Sequence, residues 1–138
     1  MTNSSPPHVL ILGAASGIAR ATARLYATER AVIGLAGRNP VRLTNIADDL
    51  KARGAMLVAT FDIDFVSADA ATVLAAAEAE LGGLDHIILT YGILGDQHEA
   101  ESDPDAARTI LDVNFCSAAA WCLAAATVLE RKGKGSLV

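Results

Sequence analysis

Cysteine and basic side chains are scarce in this chain of 138 residues. The two cysteines, Cys116 and Cys122, lie in one predicted helix, where they are separated by roughly 240° around the axis. We therefore expect no disulfide between them and a reducing, cytoplasmic environment. The 11 Lys and Arg are scattered and outnumbered by 16 Asp and Glu, which gives a net charge of −5. This balance argues against a nucleic-acid surface and against a polybasic membrane patch.

Long apolar runs and metal-ligand spacings are scarce as well. The most apolar stretch, residues 115–129, is shorter than the roughly 20 residues of a membrane span, so it predicts a buried helix. The first eight residues are polar and contain two prolines, and we expect no signal peptide there. The three histidines, His8, His86 and His98, are far apart, and we predict no metal site.

The apolar residues, 52% of the chain, follow a regular alternation of strand and helix patterns. Strands are predicted over 9–12, 31–36, 55–61 and 86–89, with the start of a fifth over 136–138. Helices are predicted over 18–28 and 40–50, from an N-cap at Ser67 to Leu81, and over 105–131 after a polar loop at 96–103. This alternation predicts a single α/β domain, a doubly wound parallel sheet with strand order 3-2-1-4 and the start of a fifth strand.

A glycine loop follows the first predicted strand and opens the first predicted helix. Its pattern, G-x-x-x-G-x-A, begins at Gly13 and contains Ser16 and Gly17. Such a loop brings backbone N–H groups to a diphosphate at a helix N-terminus, although a tight turn would need the same glycines. The position after the first strand favours the phosphate site. Ser16 could cap the helix, bond a phosphate, or do both.

Candidate site residues follow the next three predicted strands. Arg38 lies about 20 residues after Gly17, where an arginine accepts a ribose 2′-phosphate and an acid would bind the 2′-hydroxyl; we favour that role over a merely exposed arginine. Asp62 could bind an adenine amino group or cap a turn. Gly92 could admit a ribose or form a turn. Asn114, in an apolar helix, either satisfies itself on a neighbouring element or interrupts the helix near a site.

The ordered set Gly13-x-x-x-Gly17-Ile18, Gly37-Arg38, Asp62, Tyr91-Gly92 and Asp112-Val113-Asn114 resembles the short-chain dehydrogenase/reductase family over nearly the whole chain. The resemblance implies a Rossmann fold that binds NADP, with NAD the less expected cofactor. It implies that Gly13, Ser16, Gly17 and Ile18 surround the diphosphate, that Arg38 favours NADP, and that Asp62 and Ile63 contact adenine. It also implies that Gly92 lies near the nicotinamide-side ribose and that Asn114 supports a proton relay. Asn39 and Tyr91 are expected among the cofactor-binding residues as well.

The sequence departs from the family pattern in three places. Ala19 replaces the last glycine of the loop, and Thr90-Tyr91-Gly92 replaces Asn-Ala-Gly. The family's catalytic serine, tyrosine and lysine lie after the fifth strand, beyond Val138. Tyr91 does not replace the catalytic tyrosine, because position 95, where the family's lysine would stand, is Gly95.

We therefore expect residues 1–138 to be the dinucleotide-binding portion of one Rossmann domain, truncated before the catalytic residues and inactive alone. The complete protein would transfer hydride between the nicotinamide and a carbonyl or alcohol substrate. A non-catalytic nucleotide-binding module or regulator is the alternative. The expected partners are the cofactor, a small-molecule substrate and a second copy through the helix over 105–131, without nucleic acid or membrane.

Overall fold

A five-stranded parallel sheet forms the centre of the computed structural model, which describes residues 5–138. Residues 1–4, part of the polar start of the chain, lie outside the described residues. The strand order is β3-β2-β1-β4-β5, which confirms the predicted doubly wound topology. The strands are β1 (His8–Leu12), β2 (Val32–Gly37), β3 (Leu57–Asp62), β4 (His86–Leu89) and β5 (Ser136–Leu137).

Helices cover both faces of the sheet. They are α1 (Gly17–Thr28), α2 (Pro40–Ala52), α3 (Ala70–Leu81), α4 (Gln97–Ser102), α5 (Pro104–Leu111) and α6 (Ala118–Lys132), with a π-helical turn, the π segment, at Asp112–Ser117. Alternate residues of β1 point to opposite faces. Val9 and Ile11 join the core under α1 and α2, whereas Leu10 and Leu12 join the core under α3 and α6. Burial on both faces explains why the strand reads as a continuous apolar run.

Two sequence predictions about helix boundaries were wrong. The N-cap of α3 is Asp69, whose carboxylate accepts the Thr72 N–H at 2.8 Å, and not Ser67. The predicted polar loop at 96–103 contains the helix α4, because Asp96 caps it by accepting the Glu99 N–H at 3.0 Å. Both errors come from side-chain capping by aspartate, which apolar periodicity does not reveal.

The long predicted helix is a run of helical backbone from Pro104 to Lys132 that the π segment interrupts. By length and composition it could cross a membrane, and 17% of its most apolar window is buried. One face packs on the sheet through Trp121, Ala125 and Leu129. The opposite side leaves Phe115 71% exposed and Leu123 72% exposed.

A partly buried ion pair ties the end of α6 to the starts of β1 and β4. The Lys132 ammonium lies 2.6 Å from Oδ1 of Asp85 and donates to the Leu84 carbonyl at 3.0 Å. Oδ2 of Asp85 accepts the His8 N–H at 3.0 Å. Burial by itself would raise the pKa of Asp85, but the Lys132 ammonium and the His8 N–H together hold that pKa below its ordinary value. The pair therefore stabilises the fold in its ionised form.

Asp85→Asn should lower the free energy of unfolding by about 1–3 kcal/mol, because it leaves the Lys132 charge without its partner. Since the pKa of Asp85 is lower in the folded chain, its contribution is complete above about pH 4 and is lost as the pH falls through the folded-state pKa. Urea unfolding at neutral and acidic pH measures both effects. Asp48→Asn, at an exposed pair with Lys51, is the matched control. Equal losses in the two variants would contradict the assignment.

Candidate functional site

A cleft of about 380 Å³ opens at the carboxyl ends of the parallel strands. Ligands bind at this edge of doubly wound sheets, beside the strand at which the chain order reverses, which here is β1 between β2 and β4. The volume is within the range of small-molecule sites. Its lining comes from four segments that follow β1, β2, β3 and β4, and from the π segment: Gly13, Ala15, Ser16, Gly37, Arg38, Asp64, Phe65, Val66, Thr90, Tyr91, Gly92, Ile93 and Val113.

The glycine loop, residues 13–16, turns sharply between β1 and α1. Gly13 has φ +94°, and a Cβ at this position would lie 2.5 Å from the Tyr91 nitrogen. The N–H groups of Gly13 and Ala14 both donate to the Ala36 carbonyl at 3.0 Å. Position 13 therefore requires glycine both for its backbone angle and for the close approach of the end of β4.

The first turn of α1 leaves backbone donors free beside the cleft. Ser16 caps the helix, because its Oγ accepts the Ala19 N–H at 3.0 Å. Within residues 5–138, the N–H groups of Gly17 and Ile18 have no hydrogen-bond partner. Apart from its chain neighbours and the backbone of its own helix, no atom lies within 4 Å of a Cβ built on Gly17, so packing does not require glycine there. Free N–H groups at a helix N-terminus attract anions.

Arg38 reaches the cleft from the end of β2, whereas Asn39 does not line it. Asn39 instead caps α2, since its Oδ1 accepts the Arg42 N–H at 3.0 Å. The Arg42 guanidinium donates to the Ala15 carbonyl at 2.9 Å and so fixes the glycine loop to α2. Arg42 is not among the predicted site residues, because no local sequence pattern marks an arginine whose partner lies on another element.

The segment after β3 lines the cleft with residues other than those predicted. Asp62 and Ile63 lie outside the lining; Ile63 is buried and its N–H donates to the Gly37 carbonyl at 2.8 Å. Their predicted adenine contacts stay predictions. Asp64 lines the cleft, and the Val66 and Ser67 N–H groups, with a smaller effect of Arg38, hold its pKa below the ordinary value. The cleft thus carries one cation and one anion side by side.

The end of β4 is joined to the glycine loop and to the segment after β3. The Thr90 hydroxyl lies 3.0 Å from the Leu12 carbonyl and 3.1 Å from that of Gly13. The Tyr91 ring stacks on Phe65, with centroids 4.1 Å apart and an interplanar angle of 4°. Burial raises the pKa of Tyr91, so its phenol is protonated at neutral pH.

Asn114 lies in the π segment and bonds the backbone after β4. Its Oδ1 accepts the Ile93 N–H at 2.8 Å, and its Nδ2 donates to the Ile93 carbonyl at 2.7 Å. A Cβ on Gly92 would lie 3.2 Å from that Oδ1. Both alternatives considered for Asn114 describe the structure, because the amide is satisfied on a neighbouring segment and the helix is interrupted there. Its support of a proton relay stays a prediction.

The structure brings five of the predicted site residues into one cleft: Gly13, Ser16, Arg38, Tyr91 and Gly92. The other predicted residues adjoin it along the chain. Within residues 5–138 no group of three or more His, Cys, Asp or Glu could hold a metal ion. The two cysteines are not joined in a disulfide.

Comparison with known proteins agrees with the family resemblance and with the observed fold. The sequence profile of the family described as short chain dehydrogenase matches residues 7–138. An uncharacterized oxidoreductase of Mycobacterium tuberculosis is 34% identical over 100% of this chain and 55% of its own length. A short-chain type dehydrogenase/reductase from Mycobacterium marinum superposes with a TM-score of 0.87 at 27% identity, over 96% of this chain and 54% of that one.

A third similarity concerns the fold alone. The NAD⁺-bound xylitol dehydrogenase superposes with a TM-score of 0.88 at 19% identity, over 99% of this chain and 53% of that one. The chain spans about half the length of the curated relatives that it matches.

The two glycines of the loop should respond differently to alanine. Gly13→Ala should lower the free energy of unfolding by more than about 2 kcal/mol, since its Cβ meets the Tyr91 backbone at a positive φ. Gly17→Ala should change it by less than about 1 kcal/mol, because the site is open and alanine favours the helix. Urea unfolding of both variants tests this. Similar losses would show that Gly17 is also needed for the fold.

Proposed function

The chain belongs to the short-chain dehydrogenase family, and we propose that it is the NADP-binding portion of an oxidoreductase that acts on a carbonyl or alcohol substrate. Members of this family bind nicotinamide dinucleotides. The relatives' names as oxidoreductases favour this proposal over the alternative of a nucleotide-binding module without chemistry. Because the chain spans about half of their length, the activity and the substrate class of the whole protein belong to the proposal.

The observation that carries the proposal is the first turn of α1. The N–H groups of Gly17 and Ile18 have no hydrogen-bond partner within residues 5–138. In addition, packing does not explain why position 17 is a glycine, because the space beside it is open. A diphosphate satisfies both features, because it accepts the N–H bonds and uses the space that a side chain would fill. The fixed loop carbonyl of Ala15, held by Arg42, keeps this turn in place before any ligand arrives.

Cofactor choice is assigned to Arg38. Its guanidinium lies at the end of β2, where a ribose 2′-phosphate would be read, and it carries the positive charge among the titratable side chains that line the cleft. Asp64, which lines the same cleft, is ionised and adds a negative charge near Arg38. A 2′-phosphate must therefore bond Arg38 directly in order to overcome the carboxylate, which makes binding depend strongly on this one side chain.

The chain's own residues bind and orient, and a bound NADPH would supply the hydride. The glycine loop and the first turn of α1 would hold the diphosphate, and Arg38 the 2′-phosphate. Asn114 fixes the segment after β4 that would border the nicotinamide side. The Tyr91 hydroxyl is hydrogen-bonded to Ser117, and the residue four positions after Tyr91 is glycine and not lysine. We therefore propose that these 138 residues bind the cofactor without oxidising it.

Titration of the chain with NADPH and NADH, followed by cofactor fluorescence, tests this function. Arg38→Asp should weaken NADPH binding by about 10- to 100-fold, the effect of losing a charged hydrogen bond and adding a repulsive carboxylate, with little change for NADH. Arg108→Asp, on α5 outside the cleft lining, makes the same change in charge and serves as the control. Equal losses for both cofactors would contradict the assignment of Arg38, and no binding of either would overturn the proposed function.

We further propose a cytoplasmic homo-oligomer, in which a second copy covers the exposed apolar side of the run from α5 to α6. Leu111, Phe115 and Leu123 are 61%, 71% and 72% exposed there, although the opposite face is buried on the sheet. A two-fold axis would bring this one surface onto itself. The free thiols of Cys116 and Cys122 agree with a reducing compartment, and fractionation of producing cells tests that location.

Sedimentation equilibrium should therefore detect a dimer or larger oligomer of the chain. Phe115→Ser and Leu123→Ser should each shift the equilibrium toward monomer by about tenfold or more, since each removes a large apolar contact from the interface. Leu25→Ser, at an exposed leucine of α1, is the matched control. A wild-type chain that stays monomeric at all concentrations would contradict the proposal.

A further inference from the structure

We infer that Tyr91 is a positioning residue of the cleft, which holds the π segment, the glycine loop and the segment after β3 in one arrangement. The inference rests on the proposed function insofar as it concerns cofactor affinity. This positioning role requires neither catalysis by the Tyr91 side chain nor its direct contact with the cofactor. Three separate contacts of this one residue carry the argument: its backbone, its ring and its hydroxyl.

The backbone of Tyr91 supports the glycine loop. Its nitrogen and Cα would lie 2.5 and 2.8 Å from a Cβ on Gly13, so these two segments are in direct backbone contact. The Thr90 N–H donates to the Leu12 carbonyl at 2.8 Å and keeps the end of β4 beside the end of β1. Any displacement of Tyr91 is therefore transmitted to the loop that precedes α1.

The ring of Tyr91 supports the segment after β3. It stacks face to face on Phe65, and Phe65 meets Trp121 edge-on at 5.4 Å and 79°. The indole N–H of Trp121 donates to the Phe65 carbonyl at 2.9 Å, which fixes the backbone of this segment on α6. Phe65 and Tyr91 both line the cleft, and Phe65 also lines a neighbouring groove with Ser117 and Trp121. The stacked rings of Tyr91 and Phe65 are thus part of the wall between the cleft and this groove.

The hydroxyl of Tyr91 supports the π segment, and the direction of its hydrogen bond follows from the partners. The Ser117 hydroxyl lies 2.7 Å from the Val113 carbonyl, which can only accept, so the single Ser117 proton is used there. In the 2.9 Å contact between the Tyr91 hydroxyl and Ser117, the phenol is therefore the donor. The result is an ordered chain from the Tyr91 O–H to Ser117 to the Val113 carbonyl.

This series of hydrogen bonds attaches the π segment to the rest of the fold at a second place. Asn114 attaches it to Ile93, and Tyr91 attaches it through Ser117, which is buried. Two attachments fix the rotation of the segment as well as its position, and Val113 lines the cleft from it. Loss of the phenol hydroxyl should leave the ring stack intact and free only this second attachment.

Tyr91→Phe and Ser117→Ala test the inference on the full 138-residue chain. Each should speed amide hydrogen exchange across residues 112–117 by about tenfold, the factor expected for one lost hydrogen bond, and weaken NADPH binding by a similar factor. The double variant should lose no more than Ser117→Ala alone, because that variant already removes the bond that Tyr91→Phe removes, together with the Ser117 bond to the Val113 carbonyl. Tyr26→Phe, at the second tyrosine, whose ring lies beside His86, is the matched control and should change neither quantity.

The two readouts separate the two possible failures. Unchanged exchange over 112–117 in Tyr91→Phe would overturn the inference whether or not any cofactor binds. A wild-type chain that binds no cofactor, together with faster exchange in Tyr91→Phe, would support the attachment while overturning the proposed function. Faster exchange with unchanged NADPH affinity would overturn the positioning role. Melting curves of each variant check that it is folded, and a purely additive double variant would also count against the shared bond.

Discussion

Backbone contact between Gly13 and Tyr91 is the constraint around which the cleft is assembled. A side chain at position 13 would collide with the end of β4, and its φ of +94° suits glycine alone among common residues. This glycine allows β1 to turn into α1 within four residues, so the first turn of the helix begins directly after Ser16, which lines the cleft. The open backbone at Gly17 has a different origin, because nothing in the described fold occupies the space beside it.

The electrostatics of the cleft are local and differ from those of the whole protein. The chain is acidic, with a net charge of −5, yet its cleft combines Arg38 with the positive end of α1. Asp64 moderates that field, and its carboxylate also fixes the turn that carries Phe65 by accepting the Val66 N–H at 2.9 Å. One acidic side chain therefore both shapes the wall of the cleft and lowers its net positive potential.

The sequence predicted the sheet order and the glycine loop because both depend on short-range patterns. Apolar runs such as 9–12 mark strands that are buried on both faces, and the alternation of strands with helices fixes the topology. It did not predict α4 or the Asp69 cap, which depend on single aspartates. It also did not single out Asp64 and Phe65, which line the cleft, because the chain turns after β3 and a rule based on strand ends gives no turn geometry.

By itself, the sequence determined which residues are apolar, where glycine interrupts them and which polar side chains follow each strand. That is sufficient for the fold class, the family and the edge of the sheet at which the candidate site lies. Only the tertiary structure decided which side chains meet there. The Arg42 bond to the loop, the Tyr91 chain to Val113 and the Asn114 pairing with Ile93 all join residues far apart in sequence. Their geometry depends on how the helices pack across the sheet, and no local periodicity encodes it.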